Sequence, residues 1–311
     1  MDERPLKILI IELGPLGNWV LATGLFRAIR LHYPKATLYH LTQTDFAELA
    51  TAQGCFDKLL LTRWEGFHNL KEFFESMFLE PIWRKKISEI GFDIIFDLHR
   101  TAKTRNIFYK HLTSKQIQIF SNYGEYPHPH MLNVYQAIGA EAGIFYNSSP
   151  QIKTADSNIV KPFSVLIPRS RWERHRQNWP LEKFKELALR LQKCGLPPLI
   201  VGHRRDLVAL KPLRRMPGNR DLAGQTTLYA LSGILAKASL VIGVDTGTTH
   251  LAAAVGAPTL ALYGPTPLEI WGIRGPQVSW IKKNTVDEIS VEEVWQACLS
   301  FTRRASMIKT E

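Results

Sequence analysis

The 311-residue sequence predicts two α/β domains, each built on a parallel sheet. Three features predict it. Short apolar runs of strand length alternate with stretches of helical periodicity, a polar break falls near the middle of the chain, and the same alternation restarts after it. The length exceeds one ordinary domain and gives each of two enough residues for its own core. With 45% hydrophobic and 22% charged residues, the chain has the balance of a folded protein without extended disorder.

In the first half, Lys7 to Ile11 is an apolar run stopped by Gly14-Pro15-Leu16-Gly17, and Trp19 to His32 carries apolar residues at helical spacing. This reads as strand, turn and helix. Thr37 to Leu41 is a second strand after Pro34, and Phe46 to Gln53 a helix closed by Gly54. Trp64 to Ile90, aromatic and charged, reads as helical and ends at Gly91. Phe92 to Leu98 is a buried strand, Ile117 to Ser121 another, and Met131 to Gly139 a helix.

From Asn147 to Pro162 the chain turns polar, which separates a domain of residues 1–155 from one of 156–311. Beyond it come the strand Phe163 to Ile167, the helix Leu181 to Cys194, the strand Leu199 to Val201 and the helix Leu228 to Ala236. The strand Leu240 to Ile242, the helix Thr249 to Val255 and the strand Thr259 to Tyr263 follow. Val291 to Arg303 is a final helix, placed to pack back on the first domain. The order is that of two Rossmann-like domains facing each other across a cleft.

The polar start Met1-Asp2-Glu3-Arg4-Pro5 and the short apolar run after it do not read as a signal peptide, and no segment is long enough to span a bilayer. Cys55, Cys194 and Cys298 lie far apart without metal-ligand spacing and read as reduced thiols of a cytoplasmic protein. A net charge of +11 favours anionic partners, among them a phosphate-bearing substrate and the cytoplasmic leaflet of a membrane. No zinc finger, basic zipper or RNP-type signature supports nucleic acid.

The chemistry concentrates where Val241-Ile242-Gly243-Val244 runs through Asp245-Thr246-Gly247-Thr248 into Thr249-His250-Leu251-Ala252-Ala253-Ala254. This is a buried strand, a small-residue turn and a helix start, whose unpaired amides face outward. Gly247 admits close approach of a ligand, Thr246 and Thr248 supply hydroxyls, and the helix dipole favours an anion, so a diphosphate is the natural guest. A simple helix cap at Asp245 or Thr246 is the plainer reading of the same turn. At the end of the Phe92 to Leu98 strand, His99, Arg100, Lys103 and Arg105 stand where open α/β sheets place ligands.

With the following Tyr263-Gly264-Pro265-Thr266, the run from Asp245 to Thr266 resembles the heptosyltransferases of lipopolysaccharide core synthesis, glycosyltransferase family 9 of GT-B fold. The resemblance extends over nearly the whole chain. It includes Ile8 to Ile11 with Leu16-Gly17 and Leu25 to Arg30, Phe96-Asp97-Leu98 with Lys103, Trp179-Pro180 with Phe184 and Leu187-Ala188, and Leu222-Ala223-Gly224 with Leu228. It implies transfer of a heptose, with inversion and without metal or other cofactor, from ADP-heptose to an anionic glycolipid acceptor at the inner face of the cytoplasmic membrane. In that family the residues matching Asp245, Thr246, Gly247, Thr248 and His250 hold the donor, and Thr226 falls in the adenine pocket. Gly17 with Arg100, Lys103 and Arg105 matches the acceptor side.

Two positions depart from the family pattern. The aspartate expected to act as general base is Asn18, and an amide orients a hydroxyl but does not take its proton. Glu12, His99 and, behind them, Glu125 are the alternative bases, His99 having the better intrinsic pKa. The lysine expected before Trp179-Pro180 is Gln177, which leaves the phosphate to Ser170, Arg174 and Arg176, or leaves those arginines as a solvated loop. Asn18 and Gln177 together open a second reading, a nucleotide-sugar-binding protein whose chemistry is slow or lost. A nicotinamide-dependent oxidoreductase is disfavoured, because the first turn lacks Gly-x-Gly-x-x-Gly and no acid ends the second strand at Leu41. The histidine-rich 126–130 segment has no carboxylate or thiol cluster for a metal, and His130 reads as a capping or core residue.

Overall fold

The computed structural model describes residues 4–62, 82–83, 85–99, 117–121, 130–169 and 178–307, without the side chains of 302–307. The chain divides into two compact units, Met1–Ser148 and Ser149–Glu311. Within the first, strands β1 (Lys7–Ile11), β2 (Thr37–Gln43), β3 (Lys58–Thr62), β4 (Ile94–Asp97) and β5 (Gln118–Ser121) form a parallel sheet of order β3-β2-β1-β4-β5. The chain runs outward from β1 to β3, then returns to the other side of β1 for β4. The switch point thus falls between β1 and β4, where an open sheet has its crevice.

β1 is central, and Ile8, Leu9, Ile10 and Ile11 are fully buried, as a parallel strand covered on both faces demands. Helix α1 (Leu16–His32) follows, with Pro15 at its N-cap at φ −58°. It starts three residues earlier than Trp19, so Gly17 and Asn18 lie in its first turn rather than in a loop. Helix α2 (Ala47–Gln53) comes after β2, and α3 (Met131–Glu141) packs on α1. The imidazole of His130 caps α3 by accepting the Leu132 N–H at 3.1 Å.

A buried pair locks α1 onto β2. The Trp19 indole N–H donates to His40 Nε2 at 3.0 Å, His40 Nδ1 lies 3.1 Å from the Ile10 carbonyl, and the His40 ring stacks on Phe56. With Nε2 accepting, Nδ1 carries the proton and the ring is neutral. Burial holds its pKa at about 3.

In the second unit, β6 (Ser164–Ile167), β7 (Pro198–Ile200), β8 (Arg220–Asp221), β9 (Leu240–Val244), β10 (Thr259–Tyr263) and β11 (Val278–Lys282) form a parallel sheet of order β11-β10-β9-β6-β7-β8. Its switch point lies between β6 and β9. Helix α4 (Leu181–Lys193) buries Phe184, Leu187, Ala188 and Leu191, the spacing of a single helical face. Helices α5 (Leu228–Lys237) and α6 (Gly247–Ala254) flank β9, and α7 (Val291–Met307) puts Val291, Val294 and Cys298 into the same core as α4. The Trp179 indole N–H ties this core to the Ile289 carbonyl at 2.8 Å.

Three strands go beyond the sequence expectation, β3, β8 and β11, and all lie at sheet edges. β8 is only Arg220 and Asp221 and β11 mixes polar and apolar residues, so neither carries the apolar run that marks β1 or β9, whereas β3 does carry a short one in Leu59, Leu60 and Leu61. The helix expected over Trp64 to Ile90 is described only at Ile82–Trp83 and 85–90, which are helical; the rest lies outside the described residues. The three cysteines are free thiols, and no helix among the described residues is long and apolar enough to cross a membrane.

The Trp19–His40 lock predicts two outcomes. Trp19→Phe strips a buried acceptor of its donor and should cost about 1–3 kcal/mol in urea unfolding at neutral pH. The neutral ring stabilises the fold fully above the ordinary 6.5 and loses that contribution as pH falls toward 3, because only the unfolded chain takes up the proton. His40→Gln should flatten this acid slope, and an unchanged slope would count against the assignment.

Candidate functional site

All strands in each sheet run parallel, so the loops after their carboxyl ends share one edge, and both candidate constellations sit there. In the first unit that edge is closed by buried polar groups. The Gly14 N–H donates to Glu12 Oε1 at 2.6 Å, the Tyr135 hydroxyl donates to Glu12 Oε2 at 3.3 Å, and the Gln43 amide donates to the carbonyls of Leu13 and Gly14 at 2.8 and 3.0 Å. A Cβ on Gly14 would stand 2.6 Å from Glu12 Oε1 and 3.0 Å from Asn18 Nδ2, so only glycine lets these two side chains close on the turn. Gln43 also occupies the strand end where a dinucleotide fold presents an acid to the ribose.

Glu12, one of the alternative bases, is fully buried. Burial pushes its pKa up to about 8, against the Gly14 and Tyr135 hydrogen bonds that favour ionisation, while the nearby charge of Asp97 adds to the rise. Asp97, buried at the end of β4, accepts the backbone N–H of His99 at 3.1 Å. His99 follows, half-buried, and its burial holds the imidazole pKa at about 4. The advantage in proton affinity expected for His99 is therefore reversed in the fold. Gly17 and Asn18 are half-buried in the first turn of α1, which puts Asn18 beside Glu12 across Gly14. Arg100, Lys103, Arg105 and Glu125 lie outside the described residues.

In the second unit β9, buried along its whole length, ends at Asp245 beside the switch point. Helix α6 begins at Gly247, two residues before Thr249, which puts Gly247 and Thr248 in its first turn. Thr246 holds the extended N-cap position without a capping side-chain hydrogen bond, and the first helical bonds run from Thr249 and His250 to its carbonyl at 2.9 and 3.2 Å. The amides of Gly247 and Thr248 thus have no intrahelical acceptor, and Thr246, Gly247 and Thr248 are half-buried. Thr249 has a different role. Its hydroxyl donates to the Val244 carbonyl at 2.7 Å, in the space a Cβ on Gly243 would fill.

Burial raises the Asp245 pKa, while a hydrogen bond with Thr266 and the positive charge of Lys282 act in the opposite direction. His250 is buried behind the turn, with Nε2 3.9 Å from Asp245 Oδ1. Lys282 ends β11 level with Tyr263, and its ammonium donates to the Gly264 carbonyl just past β10. Thr266 closes the Tyr263 to Thr266 run of the sequence, which by itself does not reveal this contact. Lys282 was missed because its edge strand was missed.

Thr226 is half-buried on the loop after β8, next to Thr227, whose hydroxyl caps α5 by accepting the Ala230 N–H at 3.2 Å. That loop is tied to the end of β7 by the Gly224 N–H to the Gly202 carbonyl at 2.8 Å. Arg169, just past β6, faces Asp206 at 3.6 Å, and Ser170, Arg174, Arg176 and Gln177 beyond it lie outside the described residues. Among the described residues no group of three His, Cys, Asp or Glu side chains is placed to hold a metal ion.

Two solved structures share this architecture. A family 9 glycosyl transferase from Veillonella parvula superposes with a TM-score of 0.80 at 18% identity, over 97% of this chain and 98% of that one. The ADP-heptose LPS heptosyltransferase II of Escherichia coli gives 0.77 at 18% identity, over 97% and 100%. Two doubly wound parallel sheets in one chain, the second with a helix N-terminus at its switch point, define a GT-B protein. Residues 82–299 match glycosyltransferase family 9 (heptosyltransferase), and the chain belongs to that family. Lipopolysaccharide heptosyltransferase 1 of Pseudomonas aeruginosa is 24% identical over 227 residues, which cover 73% of this chain and 56% of that protein, so the match spans little more than half of that relative's length.

The buried Glu12 has a measurable signature. Its folded pKa lies above the ordinary 4.5, so the neutral carboxyl stabilises the fold fully below 4.5 and loses that contribution as pH rises through about 8. Between pH 5 and 9 the wild type should lose on the order of 4 kcal/mol relative to Glu12→Gln in denaturant melts. A difference independent of pH would mean that Glu12 is ionised in place.

Proposed function

We propose that this chain transfers a heptose or closely related sugar from an ADP-sugar to a lipopolysaccharide core acceptor, with inversion and without a metal. The observation that carries this reading is the family match across residues 82–299, which contains the whole Asp245 to Thr266 run. The donor diphosphate lies at the N-terminus of α6, on the amides of Gly247 and Thr248 and the hydroxyls of Thr246 and Thr248. His250 supports Asp245 from behind, Thr226 lines the base, and Ser170, Arg174 and Arg176 add contacts to the phosphates. Gly17, Arg100, Lys103 and Arg105 receive the anionic acceptor. The name of the E. coli relative, an ADP-heptose transferase, supports the choice of donor.

In the transfer, an acceptor hydroxyl attacks the anomeric carbon, the bond to the diphosphate breaks, and ADP leaves with the bonding electrons. Asn18 orients the hydroxyl, and its proton goes to Glu12, whose affinity near 8 matches the task better than a histidine held at about 4. Asn18 favours the second reading, a donor-binding protein with slow or absent chemistry.

ADP release from ADP-heptose in the presence of a heptose-deficient lipopolysaccharide core separates the two. Wild-type turnover that rises with pH through about 8, and falls about 100-fold or more in Glu12→Gln, is expected. A silent wild type beside a rapid Asn18→Asp variant would instead establish the second reading.

The charge of +11 supports work at an anionic membrane face. Co-sedimentation with vesicles should require anionic lipid and weaken as salt rises from about 0.05 to 0.5 M, and indifference to both would remove the membrane from this reading.

A further inference from the structure

We propose that Lys282 supplies a positive charge to the diphosphate of the donor, a further cation beside those of the 170–177 segment. The inference rests on the donor-site reading above. The N-terminus of α6 carries roughly half a positive charge, and the Asp245 carboxylate beside it works against an anion. A diphosphate at this turn therefore calls for a cationic side chain close by.

The topology puts one there. β11 lies on the far side of β10 from β9, and Lys282 is in register with Tyr263, the last residue of β10. Its ammonium reaches back over the end of β10 to the Gly264 carbonyl. Adjacent strands lie about 4.8 Å apart, so this charge sits one strand spacing from β9 and the Asp245 turn that follows it. From there its charge acts on the Asp245 carboxyl, lowering a pKa that burial raises. Lys282 is exposed, so its hydrogen bond to Gly264 aims the ammonium without removing it from a ligand's reach.

The neighbouring Lys283 is an internal contrast. Its ammonium pairs with Glu293 at 2.8 Å, at the start of α7. A diphosphate should depend on position 282 and not on position 283, although both changes remove one positive charge.

Isothermal titration of the full chain with ADP, inorganic pyrophosphate and adenosine tests this. Lys282→Gln, which removes the charge and keeps a hydrogen-bond donor, should weaken ADP and pyrophosphate tenfold or more and leave adenosine unchanged, which a collapsed site would not do. Lys282→Arg should recover most of the loss, and Lys283→Gln should bind as the wild type does. Unaltered ADP and pyrophosphate affinity in Lys282→Gln, or an equal loss in Lys283→Gln, overturns the proposal. Pyrophosphate binding that depends on Lys282 in a protein that ignores ADP would sink the ADP-sugar reading and leave Lys282 standing. A wild type that binds neither anion overturns both.

Discussion

Burial of β1 and β9 on both faces is the constraint from which the chemistry of this chain follows. A parallel strand at the centre of a covered sheet has no exposed side chain along its length, so polar groups appear only where it ends. Ile8 to Ile11 and Leu240 to Val244 are closed in this way, and the first polar groups past them are Glu12 and Asp245. Each of these strands also flanks the switch point of its sheet, where the departing connections diverge and leave room for a ligand.

The two strand ends use that room in different ways. At the first, Glu12, Gln43 and Tyr135 spend their hydrogen bonds on the turn itself, and burial keeps Glu12 and His99 uncharged near neutral pH. Such an edge suits a neutral hydroxyl. At the second, the helix amides stay unused, Thr246 does not cap, and the charge of Lys282 acts on the Asp245 carboxyl. That edge suits an anion. The rigidity behind the second site comes from Thr249 and His250, which are buried while Thr246, Gly247 and Thr248 are only half-buried.

Much of this was legible in the sequence where periodicity and burial coincide. The central strands, α3, α4 and β10 stand within a residue or two of their expected places, because an apolar run or a single apolar face announces each. The Asp245 turn was legible because small residues between a buried strand and a helix have few other uses. Of the edge strands only β5 was, since β8 and β11 mix charged, polar and apolar residues over a few positions, β3 offers just three leucines between Lys58 and Thr62, and their pairing is set by neighbours far along the chain. Side-chain direction was equally hidden. The sequence around Glu12 does not say whether the carboxylate points out or in, because that depends on Tyr135, more than a hundred residues away, and on the missing Cβ of Gly14.

The edge position of β11 has a consequence of another kind. An outermost strand offers a row of unpaired backbone groups to any other strand it meets, and Trp280, 43% exposed, would reward such a meeting. Lys282 and Lys283 stand at the end of this strand, and charged side chains there are a common defence against edge-to-edge joining of sheets. Positive charge at position 282 therefore bears on whether the protein stays dispersed in a crowded solution, apart from anything it binds.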